Sequence, residues 1–319
     1  MGEPAGMGAA ARAVVDAAAA GSVAALHGSA ASRMLQSEWR GGLALPAGEF
    51  VAAVAELAAV DGSLGWPVAM VNAAAYEVDT LYPNAADDVW SADPHALIVT
   101  SYQAGGRLRD GVLTGRWKAV VGAEFADWLL LSVRDAAASR VLVPRGTASI
   151  DPLDSLTGLH AAGICDVTVS ALPVDDGRIF AWRNYDDVAM VAGAGITAAV
   201  VGAADGVWRR HVDQLRELLA TSHGGQQVTD EASAQLGRAA SDIDAAALQI
   251  RTAIQRRDDN AAATRAYRQA VERARGAADR ILGSSRNALE ASSPVSCQWR
   301  DVHAGCRLAA QLLDGLALD

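Results

Sequence analysis

Residues 112–133 read VLTGRWKAVVGAEFADWLLLSV. Two runs rich in β-branched residues and leucine, from Val112 and from Trp128, flank a glycine-containing loop, Lys118 to Phe125. Side chains of this kind favour a pleated, half-buried surface, so the stretch predicts strand, turn, strand. Outward from it, Leu97-Ile-Val-Thr, Arg140-Val-Leu-Val and Cys165-Asp-Val-Thr-Val repeat the pattern. Gly105-Gly106, Asp110-Gly111 and Asp176-Gly177 supply turns between them, because glycine accepts backbone angles other residues resist. The region from Ala96 to Trp182 therefore predicts a β-domain of roughly six to eight strands.

Both flanks are helical. Val51, Val54, Leu57 and Ala58 fall on one helix face. Pro46 and Glu49 mark a start for that helix, and Gly62 with Pro67 predicts its end. A second helix is expected from Pro67 to Tyr82, and a short one from Asn84 to Trp90. Beyond Val188 helix returns. Leu236, Ile243 and Ile250 recur every seven residues beside Ala240, Ala247 and Ile254. Tyr267, Val271, Ala274, Ala278 and Ile281 form a second stripe, Asp258-Asp259-Asn260 a turn between the two, and Trp299 to Leu316 a last helix. The expected domains are 1–95 (N-terminal helical), 96–184 (middle β) and 185–319 (C-terminal helical bundle).

Composition narrows the function classes. Of 319 residues, 51 % are apolar, enough to build cores and to exclude a disordered chain. The 37 acids against 27 bases give a net charge of −10, with no basic stretch interleaved with aromatics, so nucleic acid is not an expected partner. Three scattered cysteines, Cys165, Cys297 and Cys306, fit a reducing compartment, and no CxxC or HxxxH pair predicts a metal site. The apolar stretch Val188 to Val207 is mostly Ala and Gly and contains Asp205, so it reads as a tightly packed helix and not a membrane span. The expected location is cytoplasmic.

Four ordered phrases resemble one family. Leu35 to Trp66 (LQSEWRGGLALPAGEFVAAVAELAAVDGSLGW), Gly115 to Trp128 (GRWKAVVGAEFADW), Val141 to Val169 (VLVPRGTASIDPLDSLTGLHAAGICDVTV) and Trp299 to Ala304 (WRDVHA) are similar to motifs of the acyl-CoA dehydrogenase fold, in its two-component flavin-dependent monooxygenase branch. The resemblance implies an α+β architecture: an N-terminal α-helical domain, a middle β-barrel-like domain and a C-terminal four-helix bundle. It also implies reduced FMN or FAD delivered by a separate flavin reductase, a small aromatic or natural-product substrate, and a homo-oligomer, dimer or tetramer. Four positions differ from the family's pattern. Val121 replaces the serine of its Ser-Gly pair, Phe125 the histidine before Ala-Asp-Trp, Ile164 closes its Thr-Gly-Ser triplet, and Leu308 replaces a C-terminal histidine. Apolar groups there would give a drier pocket, suited to oxygen transfer.

By the same resemblance, the two loops Lys118–Phe125 and Gly158–Cys165 face the flavin and bond its ring through main-chain amides. Trp117, Val121, Gly122, Ala162, Gly163 and Ile164 are the candidate cofactor residues. Trp66, Phe125 and Leu308 are candidates for the substrate pocket. His160, whose imidazole titrates near neutrality, and His303 with Arg300 are the catalytic candidates. For each, a plainer role competes: a loop histidine, a helix-start charge cluster, core tryptophans. Arg209-Arg210-His211 reads as a solvated helix end or a phosphate contact, Asp127 as a strand cap, and Cys165 as a small buried hydrophobe. Two other functions stay open on these residues: an acyl-CoA dehydrogenase-like dehydrogenase or oxidase, and a homologue that has lost flavin and acts as a non-redox enzyme or partner subunit. No glutamate stands in the Gly-Thr context that the first of these would need.

Overall fold

The structure, a computed structural model, describes residues 8–19, 23–134, 139–181, 186–221, 228–256, 260–285 and 290–316. Four helices come first: α1 (Ala9–Ala19), α2 (Ala47–Val60), α3 (Gly62–Leu81) and α4 (Pro83–Trp90). The break between α2 and α3 is a single residue, Asp61, whose carboxylate accepts the Ser63 N–H at 2.8 Å. This cap starts α3 at Gly62, so the helix begins five residues before Pro67, where the sequence predicts its start. The proline is carried inside the first turns of the helix.

Seven strands follow: β1 (Ile98–Arg109), β2 (Val112–Val120), β3 (Trp128–Val133), β4 (Ser139–Pro144), β5 (Ser149–Pro152), β6 (Cys165–Pro173) and β7 (Ile179–Ala181). They form one sheet in the order β5-β6-β2-β1-β3-β4-β7, with β1 and β3 parallel and every other pair antiparallel. The barrel-like domain expected is thus a seven-stranded sheet whose end strands β5 and β7 each pair on one side only. Asp127 caps it, accepting the Leu97 N–H at 2.7 Å.

Four long helices complete the chain: α5 (Asp186–Thr221), α6 (Asp230–Gln255), α7 (Asn260–Ser284) and α8 (Pro294–Leu316). The last begins five residues before Trp299, so the Trp-Arg-Asp phrase lies within α8 and does not open it. The expected turn at Asp258-Asp259 lies outside the described residues. The α6 seam is Ala239, Ile243, Ala246, Ile250, Ala253 and Ile254; Leu236, Ala240 and Ala247 flank it half-buried. On α7 the whole predicted stripe is buried. By length and composition α5 could cross a membrane, but 94 % of its most apolar window is buried inside the protein. Its glycines bring it against α2: a Cβ on Gly202 would lie 2.0 Å from the Ala55 carbonyl oxygen, and one on Gly206 2.5 Å from that of Ala59.

Helices and sheet are pinned by one buried ion pair. Arg140 on β4 donates from Nε and Nη2 to the Glu77 carboxylate on α3 at 2.7 and 2.6 Å. Its remaining donors reach the Ser101 carbonyl, the Ser132 hydroxyl and the Thr100 hydroxyl. Each charge thus finds the partners a buried ion needs.

Candidate functional site

Three elements from the three parts of the chain converge beside the sheet: the first turns of α3, the two glycine loops that flank β2 and β6, and one face of α8. The loops are tied to each other. Gly122 N–H donates to the Ala162 carbonyl at 3.1 Å, and Glu124 N–H to that of Gly163 at 3.4 Å. At the first loop's near end Asp166 holds the turn. It accepts the Ala119 N–H at 3.0 Å, at a residue with φ +51°, and takes Arg116 Nη2 at 2.8 Å. The left-handed angle is uncommon for alanine, so the aspartate stabilises a strained position.

The second loop is bolted to both helices. Asp301 of α8 accepts the Leu159 N–H at 2.6 Å, and Ser63 of α3 accepts the Ala161 N–H at 3.4 Å. Gly158 lies on the α8 backbone, where a Cβ would be 2.5 Å from the Arg300 carbonyl oxygen. Gly62 similarly abuts Asp301. Burial raises the Asp301 carboxyl above the ordinary range, partly offset by the Leu159 N–H; nearby Asp61 raises it further, and His160 and Arg300 act the other way.

Between β1, the first loop and α8 lies a narrow cleft lined by Thr100, Ser101, Lys118, Val121, Leu308 and Gln311. Its free volume is about 10 Å³, the size of one water molecule. Beside it the Phe125 ring lies on Gly163: a Cβ there would be 2.3 Å from Phe125 Cε2, and the backbone is left-handed at φ +61°. Trp66 of α3 packs against Gly305 of α8.

The sequence-derived candidates therefore separate into two groups. Val121, Gly122, Phe125, Ala162, Gly163, Ile164, Trp66 and Leu308 lie at or beside this convergence. Trp117, Arg300 and His303 do not reach the cleft. The Trp117 indole fills the space left by Gly105, Gly106 and Gly115 inside the sheet, and its N–H donates to the Ser132 carbonyl at 2.7 Å. Arg300 turns back to the start of α8, donating to the Ala291 carbonyl at 2.8 Å. His303 faces α7, with Nε2 2.7 Å from Asp279 Oδ1 and its ring tilted at 39° to that of Trp299, centroids 4.0 Å apart. Successive helical residues point about 100° apart, so Arg300 and His303 leave α8 on other faces than the one that carries Asp301, Gly305 and Leu308. His160 is exposed on the second loop, beside Asp301.

One further reading changes, that of the basic triplet, and the reading of Cys165 as a buried group holds. The basic triplet is no solvated helix end: Arg209 bridges Glu56 and Asp205 at 2.8 and 2.7 Å, Arg210 donates to the Ala59 carbonyl, and His211 is buried. Cys165 is a fully buried thiol, pushed up to about 11 by desolvation. Sequence reasoning missed the loop anchors Ser63, Asp166 and Asp301 as a set. The signal for one of them was present, since Asp61-x-Ser63 reads as a helix cap. The other two depend on contacts over 47 and 142 residues of separation, which no local pattern records.

A helical lead, a central sheet and a terminal bundle meeting at a loop-lined cleft define an acyl-CoA dehydrogenase fold. Residues 194–311 match the family model described as acyl-CoA dehydrogenase, C-terminal domain. The flavin-dependent monooxygenase oxygenase subunit HsaA of Rhodococcus jostii is 26 % identical, over 89 % of this chain and 85 % of its own. An FADH(2)-dependent resorcinol hydroxylase oxygenase component of a Rhizobium species is 24 % identical, over 88 % of this chain and 81 % of its own. The crystal structure of the 3-HSA hydroxylase from Rhodococcus sp. RHA1 superposes with a TM-score of 0.82 at 24 % identity, covering 93 % of this chain and 90 % of that one, and so shares the fold.

Proposed function

We propose that this protein is the oxygenase component of a two-component flavin monooxygenase. It would receive reduced FMN or FAD from a separate reductase, in the cytoplasm, and hydroxylate a small aromatic molecule. The observation that carries this reading is the loop pair Lys118–Phe125 and Gly158–Cys165, held rigidly at a three-way junction of the fold. It stands beside likeness, over most of the chain, to relatives named as flavin-dependent oxygenases.

The residues suit a reduced isoalloxazine in kind. Gly122 and Gly163 keep the two loop backbones free of Cβ groups, and Val121, Ile164 and Leu308 are buried apolar side chains. The reduced flavin, when bound, supplies the electrons that activate molecular oxygen. This chain's task is then to hold the ring through loop amides, to orient the substrate and to keep water out, and the exchange of polar for apolar groups at Val121, Phe125, Ile164 and Leu308 serves the last of these. The cleft must widen for a ring to enter, and Phe125 and Leu308 are the side chains positioned to move.

One observation favours a second reading, a partner subunit without flavin: the cleft as it stands admits about one water molecule. Anaerobic titration with reduced FMN and reduced FAD separates the two. Binding of either, followed by substrate-dependent oxygen uptake when a reductase is added, is the expected result. Failure of both reduced flavins to bind at millimolar concentration would overturn the oxygenase reading.

A further inference from the structure

A second, larger cavity lies away from the cleft, between residues 33–46, α3, the start of α5 and the end of α6. Its free volume is about 170 Å³, and it shares no lining residue with the cleft beside Leu308. Close-packed interiors hold few voids larger than a water molecule, and an apolar cavity of about 150 Å³ takes up benzene. Buried Leu35, Leu45, Met190, Val191 and Ile254 make the interior. The polar side chains of the lining are Tyr76, half-buried, and Asp187, exposed. They give an otherwise apolar space one polar, acidic edge.

The walls are braced by hydrogen bonds. On one side the chain from Arg33 to Leu45 folds back on itself: the Leu43 N–H donates to the Arg33 carbonyl at 3.0 Å, and the Leu45 N–H to that of Met34 at 2.7 Å. Asn72 of α3, fully buried, accepts the Leu35 N–H at 3.2 Å and donates to the Ala31 and Val68 carbonyls at 2.7 and 2.9 Å. On the other side the Tyr267 hydroxyl of α7 donates to the Met190 carbonyl of α5 at 3.0 Å. Moving either wall inward would break buried hydrogen bonds, and groups left unpaired in the interior are costly. The fold thus holds open a space of one ring's size.

We propose that this cavity is a second small-molecule site, for a neutral compound of a single ring, benzene or toluene in size. The ring lies against Leu35, Leu45, Met190 and Ile254, and any hydroxyl it carries sits at the edge with Tyr76 and Asp187. A carboxylate on the ring is rejected, because Asp187 would stand beside a second negative charge in a partly desolvated space. The inference goes beyond the oxygenase reading and stands without it, since neither flavin nor any residue of the cleft takes part.

The test uses the full chain without flavin, titrated in a calorimeter with toluene, phenol and benzoate. Toluene and phenol are expected to bind at one site per chain, and benzoate at least about tenfold more weakly. Ala47→Phe, at the half-buried lining position that opens α2, fills the space and is expected to weaken toluene binding by about tenfold or more. Should that variant fold poorly, Ile254→Ala enlarges the same space and is expected to shift the preference from toluene to propylbenzene. Iodobenzene soaked into crystals of the native protein is expected to give an anomalous peak among Leu45, Met190 and Ile254. No binding of either neutral probe at millimolar concentration, benzoate held as tightly as toluene, affinities that neither variant changes, or an iodine peak only elsewhere in the molecule would each overturn the proposal. Failure of reduced flavin to bind strikes the oxygenase reading and leaves these results unmoved, so the two readings fall separately.

Discussion

Phe125 occupies the place where a ring ligand has most to gain. Its side chain rests on Gly163 and is half-buried, so removing it opens volume between the two loops and uncovers a glycine backbone. Phe125→Ala is expected to tighten reduced-flavin binding several-fold, read by anaerobic titration; weaker binding would show that the phenyl ring supports the ligand. Gly163→Ala should act the other way and also destabilise the fold, because its φ of +61° is disfavoured for alanine and the new methyl would meet the Phe125 ring at 2.3 Å. A second residue-scale test concerns Glu77 and Arg140, which are 0 and 1 % exposed. Glu77→Leu strands a buried guanidinium and should cost about 3–5 kcal/mol in urea unfolding, whereas the double variant Glu77→Leu/Arg140→Met should recover much of that loss.

At the scale of the element, the second loop depends on α8 through Asp301. Asp301→Asn keeps an oxygen for the Leu159 N–H and removes a charge that burial disfavours; Asp301→Ala removes both. Because the folded carboxyl titrates above its unfolded value, its charged form costs stability, and that cost grows as pH rises from the ordinary aspartate range to the raised value. Thermal melts from pH 4 to pH 8 should therefore show Asp301→Asn flatter than wild type across that window and no less stable at pH 7. The alanine variant should melt earlier at every pH. An Asp301→Asn curve parallel to wild type would refute the linkage. The same elements show what a sequence reveals. Strands, turns and the α7 stripe were legible because side-chain period and turn residues are local properties. The start of α3 was misread because proline is a strong local signal, and the Asp61 cap that overrides it is a weaker one. Trp117 was drawn toward the cofactor by its neighbours in the chain, whereas three glycines on β1 and β2 create its true berth inside the sheet. The direction a helical residue faces is likewise set by its packing partners. Arg300 and His303 sit one and two residues from Asp301 and look elsewhere, which phrase matching cannot resolve.

Across the whole molecule, one apolar core runs through the N-terminal helices, the sheet and the bundle, with α5 at its centre. Such continuity predicts that the three parts unfold together. A fragment spanning 186–316 would expose the faces of α5 that α2 and α3 cover, and it should aggregate or bind a hydrophobic dye while the full chain shows a single melting transition. A stable, soluble bundle fragment would contradict this. The rigid mounting of the cleft has a kinetic corollary as well. Both loops are stapled to each other, and one of them to two helices besides, so no hinge is free to swing the walls apart. Admission of a guest then falls to rotamer exchange of a few apolar side chains, and the association rate should climb steeply with temperature while staying nearly blind to added viscogen.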